Sequence, residues 1–185
     1  MTKKILLFTT LATLMCGAMH AQQVEWKTIE QAAKTDTKAN AKLYFVDFYT
    51  SWCGWCKKMD KDTYEKSVVA AIMNHYYISV HFDAETKNTF SWNGKEYSNT
   101  ASRRGNPHDF TRAVLGSQIG YPSVAIFDQQ MNLVQVLSGY QGPDDFIKFI
   151  CFFVNDNYKK YSYQKYMEIF DTQIYPEIKK EVGIK

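Results

Sequence analysis

The chain has 185 residues, of which 45% are hydrophobic and 16% aromatic, and this is enough to bury the core of one domain of ordinary size. Its formal net charge is +3, and removal of Lys3 and Lys4 with the leading segment would leave 20 basic residues against 19 acidic ones. This balance gives no electrostatic basis for binding nucleic acid. Beyond that segment no stretch is apolar for the ~18 residues that a membrane helix requires, so we expect the remaining chain to be soluble.

The first residues have the pattern of a secretory signal peptide. Two lysines precede an apolar stretch over residues 5–15, and small residues follow before position 22. We therefore exclude residues 1–21 from the fold and expect a periplasmic or secreted protein. Cys16 leaves open a second possibility, in which this cysteine is acylated and tethers the protein to a membrane. The bulky Met15 argues against it, because a small residue is expected before a lipidated cysteine.

Capping residues and apolar spacing predict the first elements in chain order. Thr28 followed by Gln31 forms a possible capping box, which opens a short helix to about residue 36. Residues 43–49 are almost uniformly apolar, as in a central strand whose sheet has helices on both faces. Two helical segments over residues 53–73 then lead to a strand over residues 77–82. Together they form a strand, helix, strand unit, for which a right-handed crossover is expected.

The region over residues 84–117 is the least regular part of the chain. Asn93 and Gly94 form a turn signal between two arms that carry aromatic residues, and this predicts a hairpin over residues 90–97. A short helix is expected over residues 110–115. We interpret the whole region as an insertion.

The last third of the chain predicts a strand pair followed by helices. The strands over residues 123–127 and 133–138 have a short connection, which requires them to be antiparallel. Pro143 starts a helix with an apolar stripe, and a second stripe further on predicts one more helix. We therefore expect one domain over residues 22–157 and a C-terminal helical extension over residues 158–185.

Cys53 and Cys56 are two residues apart, at the junction between the first predicted strand and the helix that follows. Such a pair can close a small disulfide whose formation and cleavage is itself a reaction. Cys151 is left over after the signal segment, and it lies beside an apolar stripe where an inert core thiol is expected. Because one close pair and one leftover cysteine do not make a disulfide-stapled scaffold, chemistry explains the pair better than stapling does.

The order of these elements resembles the thioredoxin superfamily from about residue 24 to residue 154. The block from Val46 to Met59 is similar to the active-site block of secreted thioredoxin-related proteins. It also resembles the reducing C-terminal domain of the bacterial membrane electron transporter that feeds periplasmic disulfide reduction. Gly120-Tyr121-Pro122-Ser123 looks like the cis-proline loop of this family, and Gly139 stands where the family keeps a glycine after its final strand.

The resemblance implies an α/β, thioredoxin-like fold with a central mixed β-sheet flanked by helices. It also implies an insertion before the cis-proline and an extra C-terminal helix. Three departures bear on the reduction potential and the partner rather than on the chemistry. Trp55 replaces the proline that thioredoxin itself usually carries, and Ser79 or Val80 stands where the family has a buried lysine. In addition, 39 positions separate Asp83 from Pro122, which is more than ordinary thioredoxins have.

The resemblance assigns the reaction to three residues. Cys53 would be the nucleophile, because the first turn of a helix favours a thiolate, and it would form a mixed disulfide with the substrate. Cys56, one turn deeper, would resolve that intermediate and leave a Cys53–Cys56 disulfide. Asp47 falls where the family keeps its buried acid. Desolvation there would raise its pKa and suit it to accept the proton of Cys56, although an inert acid that reaches solvent is the alternative.

Four further residues are expected to bind substrate. A cis peptide bond at Pro122 would turn the backbone of Tyr121 toward the cysteines, where the family pairs it with an extended substrate strand. A trans turn proline is the alternative. Trp52 and Trp55 flank the cysteines, and they either form an apolar rim for substrate or pack into the fold, with packing favoured for Trp52.

The implied function is that of a cofactor-free, monomeric thiol-disulfide oxidoreductase that reduces protein disulfides outside the cytoplasm. Its partners would be disulfide-bearing proteins and an upstream electron donor, such as a membrane thiol-disulfide transporter. An oxidase or isomerase of the same fold is one alternative. Another is a non-catalytic binding module, in which the disulfide is static and the segment from Thr86 to His108 forms a docking surface together with the tyrosine-rich tail. Its hairpin aromatics would then be exposed contacts rather than a small core, namely Phe90, Trp92 and Tyr97.

A zinc site is the competing use of the two cysteines. Structural zinc needs about four ligands, which the pair alone cannot supply. The candidate histidines form no metal-like pair with one another, namely His75, His81 and His108. We therefore expect no bound metal.

Overall fold

The computed structural model describes residues 22–35, 42–100 and 105–184. The predicted signal segment and Cys16 lie outside these residues. The described strands are β1 (Trp26–Lys27), β2 (Leu43–Tyr49), β3 (Tyr77–Asp83), β4 (Phe90–Trp92), β5 (Lys95–Tyr97), β6 (Ser123–Phe127) and β7 (Leu133–Ser138). The described α-helices are α1 (Ile29–Ala33), α2 (Gly54–Met59), α3 (Ser67–Tyr76), α4 (Asp109–Leu115), α5 (Pro143–Phe153), α6 (Asn157–Lys160), α7 (Tyr163–Ile169) and α8 (Tyr175–Glu181). Two π-helical turns, Asp60–Tyr64 and Phe170–Ile174, continue α2 and α7.

Five of the described strands form one mixed sheet in the order β1-β3-β2-β6-β7. The first three are parallel to one another, whereas β6 runs antiparallel to β2, and β7 runs antiparallel to β6. The central position of β2 and the antiparallel pairing after the cis-proline loop are therefore confirmed. The Thr28 capping box is also present, since the Thr28 hydroxyl accepts from Gln31 N while the Gln31 side chain accepts from Thr28 N.

Strand β2 separates two apolar layers. Successive side chains of a strand point to opposite faces, so Phe45 lies in one layer while Tyr44 and Phe48 lie in the other. Helices α3 and α5 pack on the Phe45 face, where Phe146 approaches it edge to face with ring centroids 5.7 Å apart. Asp47 is two residues after Phe45, so its carboxylate points to the same face of the sheet, on which α3 and α5 pack. The mixed sheet flanked by helices that the resemblance implied is confirmed.

The predicted hairpin forms from β4 and β5, and its aromatic side chains belong to a core. Asn93 and Gly94 both have positive φ, 49° and 73°, as the two central residues of a type I′ turn require. Phe90 and Trp92 are buried, and Tyr97 is half-buried. Phe90 and Trp92 each lie against Phe110 of α4, with ring centroids 5.4 and 5.7 Å apart. The interpretation of these aromatics as a small core is therefore supported against that of exposed partner contacts.

The C-terminal helix runs from α7 through a π-helical turn into α8. Tyr166 and Ile178 are almost completely buried, in the same apolar layer as Phe146. The Tyr166 hydroxyl also donates a hydrogen bond of 2.8 Å to Lys148 O on α5. The domain boundary after residue 157 stays a prediction, but described residues on both sides of it share one core. None of the helices in the described part of the chain combines the length and apolar character needed to cross a bilayer.

Substitution of Ile178 by alanine is expected to lower the free energy of unfolding by about 2–5 kcal/mol, because it deletes buried methyl groups and leaves a cavity. Leu133→Ala is the matched control, since Leu133 is 45% exposed and its truncation should cost less than about 0.5 kcal/mol. Urea unfolding of the two variants measures the difference. Equal, small losses would show that the C-terminal helix does not contribute to the main core.

Candidate active site

Cys53 and Cys56 form a disulfide with an S–S distance of 2.07 Å. Strand β2 ends at Tyr49, and a turn closed by a 3.1 Å hydrogen bond from Cys53 N to Thr50 O leads into α2. Cys53 is the N-cap of that helix, and its Sγ accepts a 3.0 Å hydrogen bond from Cys56 N. The sulfur of Cys53 therefore lies against the free backbone N–H groups of a helix start, where negative charge is favoured.

Asp47 lies in the interior of the protein and is only 1% exposed. The hydroxyl of Tyr64, on the π-helical turn, donates a 3.0 Å hydrogen bond to Oδ1 of Asp47. On the other side, Nε2 of His81 lies 3.2 Å from Oδ2 of Asp47. The carboxylate thus accepts a hydrogen bond from a phenol and lies beside an imidazole whose Nε2 makes no hydrogen bond.

His81 is a residue of this site that the sequence did not reveal. The resemblance puts Ser79 or Val80 in place of the family lysine, but the parallel register pairs Asp47 with His81. This register starts with Leu43 opposite Tyr77, a long-range pairing that no local pattern specifies. With Leu43 placed opposite Tyr77, counting the same number of residues along each strand leads to Asp47 on β2 and to His81 on β3.

Asp60 brings a second carboxylate to the same place. Its Oδ1 lies 3.8 Å from Nε2 of His81. Burial raises the pKa of Asp60 above its usual value, the charge of Asp47 adds to this effect, and His81 opposes it. Burial and the neighbouring Asp47 also raise the pKa of Tyr64 well above its usual value, so its hydroxyl stays protonated as a donor.

Asp47, Asp60 and His81 can each place one ligand atom within 4.8 Å of the others. This combination of residue types could hold a cation. However, Asp47 already accepts a hydrogen bond from Tyr64, so its carboxylate has a partner without an ion. The expectation of no bound metal stays a prediction.

Two tryptophans form an exposed rim around the disulfide. Trp52 is 65% exposed and Trp55 is 59% exposed, so neither packs into the core. The indole ring of Trp52 lies 6.0 Å from the ring of Tyr121, while that of Trp55 lies 5.5 Å from the ring of Tyr140. Exposed aromatic side chains of this size present apolar contact area to solvent.

The Tyr121–Pro122 peptide bond is cis, as expected. The antiparallel register places Ser123 opposite Phe48, so the proline precedes β6 at the end of the sheet where β2 leads to the cysteines. Pro122 is buried, and its carbonyl accepts a 2.8 Å hydrogen bond from Gly139 N. This bond ties the cis-proline loop to the end of β7.

The insertion reaches the rim through Glu85, which sequence reasoning did not single out. Trp52 donates a 2.9 Å hydrogen bond from its indole nitrogen to Oε1 of Glu85. The backbone of Glu85 is fixed by a 3.0 Å bond from its N–H to Asp83 Oδ1 and a 3.4 Å bond from Asn99 Nδ2 to its carbonyl. Burial, together with the charge of Glu85, raises the pKa of Tyr121 to about 12. Trp52, one side of the aromatic rim, is therefore hydrogen-bonded to a residue of the insertion.

Cys151 is the free cysteine among the described residues, and it is fully buried on α5. Burial raises the pKa of its thiol, so the thiol stays protonated and unreactive. The expectation of an inert core thiol agrees with this placement.

Comparisons with known proteins agree with a thioredoxin-like fold. The family model Thioredox_DsbH, described as a protein of unknown function, DUF255, matches residues 13–106. A solved structure of a candidate disulphide-isomerase from Bacteroides thetaiotaomicron is 22% identical, with a TM-score of 0.53 over 74% of this chain and 97% of that one. A thioredoxin from Thermus thermophilus is 14% identical, with a TM-score of 0.50 over 69% of this chain and 85% of that one. Both likenesses show the fold.

A curated relative gives a local match. An uncharacterised protein of Caenorhabditis elegans is 30% identical over 64 residues, which make up 35% of this chain and 9% of the relative. The chain therefore spans about a tenth of the length of the curated relative it matches.

Proposed function

The chain belongs to the thioredoxin-like DsbH family, and on that premise we propose that it reduces protein disulfides outside the cytoplasm as a thiol-disulfide oxidoreductase. The observation that carries this proposal is the Cys53–Cys56 disulfide at the first turn of α2, with the sulfur of Cys53 at the N-cap. A nucleophilic thiolate is favoured there, and its resolving partner is three residues away.

The reaction has two exchange steps. In the first, the Cys53 thiolate attacks one sulfur of the substrate disulfide, the substrate S–S bond breaks, and one substrate thiolate leaves. In the second, Cys56 gives its proton to Asp47 and attacks the sulfur of Cys53. The mixed disulfide breaks, the second substrate thiolate leaves, and the Cys53–Cys56 disulfide forms. Two electrons have then passed from the protein to the substrate.

The reducing direction is supported by the environment of Asp47. Asp47 is buried beside Tyr64 and His81, as expected of the proton-accepting acid that the resemblance assigns to the reducing members of the superfamily. A return to the dithiol form requires an upstream donor, for which a membrane thiol-disulfide transporter is the proposed class. The extracytoplasmic location is supported by the signal-like pattern of the first 21 residues, and a monomer is proposed.

Substrates are proposed to be disulfide-bearing proteins that dock on the aromatic rim. The exposed Trp52 and Trp55, together with the cis-proline loop, offer apolar and backbone contacts for an extended segment. The alternative of a static binding module loses support, because the insertion buries Phe90 and Trp92 rather than presenting them.

Two measurements test this function. The protein should accelerate the reduction of insulin by dithiothreitol. Equilibration of the Cys53–Cys56 pair against a thiol buffer series should give a reduction potential near that of thioredoxin, about −270 mV. A value near about −120 mV would instead indicate an oxidant. No acceleration, with a disulfide that stays unreduced, would indicate the binding module.

Substitution of Asp47 by asparagine is expected to slow the resolving step by about 100-fold, because the amide cannot take the proton of Cys56. Asparagine keeps an acceptor for the Tyr64 hydroxyl, which limits the structural change. Asp145→Asn is the control, since the Asp145 side chain is 78% exposed and lies on α5. Single-turnover kinetics with a disulfide peptide measure the step. Equal rates for both variants would remove Asp47 from the mechanism.

A further inference from the structure

Two acidic side chains lie beside the aromatic rim, where the insertion begins. Strand β3 ends at Asp83, which the parallel register places opposite Tyr49, the last residue of β2 before the turn that leads to the cysteines. Oε1 of Glu85 accepts the 2.9 Å hydrogen bond from the indole nitrogen of Trp52, the residue directly before Cys53. Both acids therefore lie at the same end of the sheet as the disulfide, and one of them contacts a tryptophan that is 65% exposed.

Glu85 is anchored, but its carboxylate keeps free acceptor positions. Its backbone N–H donates to Oδ1 of Asp83 at 3.0 Å, and Asn99 donates to its carbonyl at 3.4 Å. The bond from Trp52 occupies Oε1, whereas no group in the described part of the chain donates a hydrogen bond to Oε2. Because an ionised carboxylate has about four acceptor positions, Glu85 can accept from a further donor.

The negative charge of these acids reaches the cis-proline loop. Among the described residues, neither Asp83 nor Glu85 forms an ion pair within 4.0 Å. Burial, followed by the charges of Glu85 and Asp83, raises the pKa of Tyr121 to about 12, and Arg112 opposes this rise. Arg112 in turn has an acid of its own, since its Nε lies 4.0 Å from Asp109. Two carboxylates without a close cation therefore act on the residue before the cis-proline, where the proposed function places the substrate backbone.

We infer that Glu85, assisted by Asp83, is a specificity-determining residue that favours protein disulfides next to a lysine or arginine. The inference rests on the proposed function and names the substrate class of that same site. An ammonium or guanidinium group beside Trp52 donates to the free Oε2 of Glu85, while its aliphatic stem lies on the exposed indole ring. An acidic residue at that position brings a like charge to two carboxylates and binds more weakly. The charge acts on encounter and binding, so the two exchange steps stay as they are.

The test uses three cyclic disulfide peptides that differ only in the residue before the first cysteine, which is lysine, glutamine or glutamate. The reduced protein is mixed with each peptide, and chromatography of the reduced peptide gives a second-order rate constant. Each constant is divided by the one measured with dithiothreitol, which corrects for the intrinsic reactivity of the disulfide. At low ionic strength the lysine peptide should react about tenfold faster than the glutamate peptide, with the glutamine peptide between them.

Variants without the charges should remove this preference. Glu85→Gln keeps an amide oxygen for the Trp52 indole, and it should lower the lysine-to-glutamate ratio to about threefold. Addition of Asp83→Asn should bring the ratio close to one. Glu177→Gln is the matched control, because Glu177 is exposed on α8, and it should keep the wild-type ratio. A merely structural effect lowers the rates of all three peptides equally and leaves the ratio as it was. A ratio that Glu85→Gln does not change, or that Glu177→Gln lowers as much, would overturn the inference.

A measurement on the wild type keeps the inference open to refutation if the variants fold poorly. Raising the ionic strength from about 0.02 to about 0.5 M should bring the lysine-to-glutamate ratio toward one, because the Debye length shortens from about 20 Å to about 4 Å. A ratio of one already at low ionic strength would overturn the inference, while reduction of the glutamine peptide would leave the proposed function standing. Failure to reduce any of the three peptides would instead overturn the proposed function, and the inference with it.

Discussion

Replacement of Cys53 by serine is expected to abolish the catalysed reduction of insulin, with a loss of more than about 1,000-fold. The reason is that a serine hydroxyl is not ionised at neutral pH and cannot attack a disulfide, even at the N-cap of a helix. The hydroxyl can still accept the hydrogen bond that the sulfur takes from Cys56 N, so the helix start should be preserved. Insulin turbidity in dithiothreitol, corrected for the uncatalysed rate, measures the effect.

Cys151→Ala is the matched control for this loss. Cys151 is fully buried on α5 and its thiol is kept protonated by burial, so its removal should not change the rate. It should instead lower the free energy of unfolding, because it leaves a small cavity in the core. Activity that survives in Cys53→Ser, or disappears in Cys151→Ala, would mean that the reactive thiol has been misassigned.

Some of what the sequence predicted is local, whereas the roles of Asp47 and Pro122 came from the family resemblance. The strand over residues 43–49 is recognisable from its own apolar run, and the cysteine pair follows it at the helix start. The Asn93-Gly94 turn is equally local, since both residues adopt the positive φ that a type I′ turn requires. Neighbours along the chain carry this information, so no knowledge of the tertiary fold was needed.

The residues that the sequence did not predict depend on contacts between distant segments. His81 meets Asp47 because β2 and β3 pair in one particular register, and a shift by one residue would move His81 to the opposite face of the sheet. Glu85 meets Trp52 through a side chain at the start of the insertion. Tyr140 reaches Trp55 from the loop after β7. Each contact joins elements that packing alone brings together.

Replacement of Cys56 by serine is expected to convert the protein into a trap for its substrates. Cys53 can still attack a disulfide, but the serine hydroxyl cannot resolve the product, so mixed disulfides on Cys53 should persist. Steady-state reduction of insulin should fall by more than about 1,000-fold while the first exchange remains intact. Non-reducing gels and mass spectrometry after mixing with a disulfide peptide measure the accumulated adduct.

The comparison that makes this result decisive is between Cys56→Ser and Cys53→Ser. The exposed fractions of Cys53 and Cys56 are 4% and 3%, which are too close to decide which sulfur reacts first. Position decides instead, because Cys53 is the N-cap beside the exposed Trp52, whereas Cys56 lies one turn into α2. Adducts should therefore accumulate in Cys56→Ser and not in Cys53→Ser. The reverse pattern would exchange the roles of the two cysteines, and it would also place the proton transfer to Asp47 in the first exchange instead of the second.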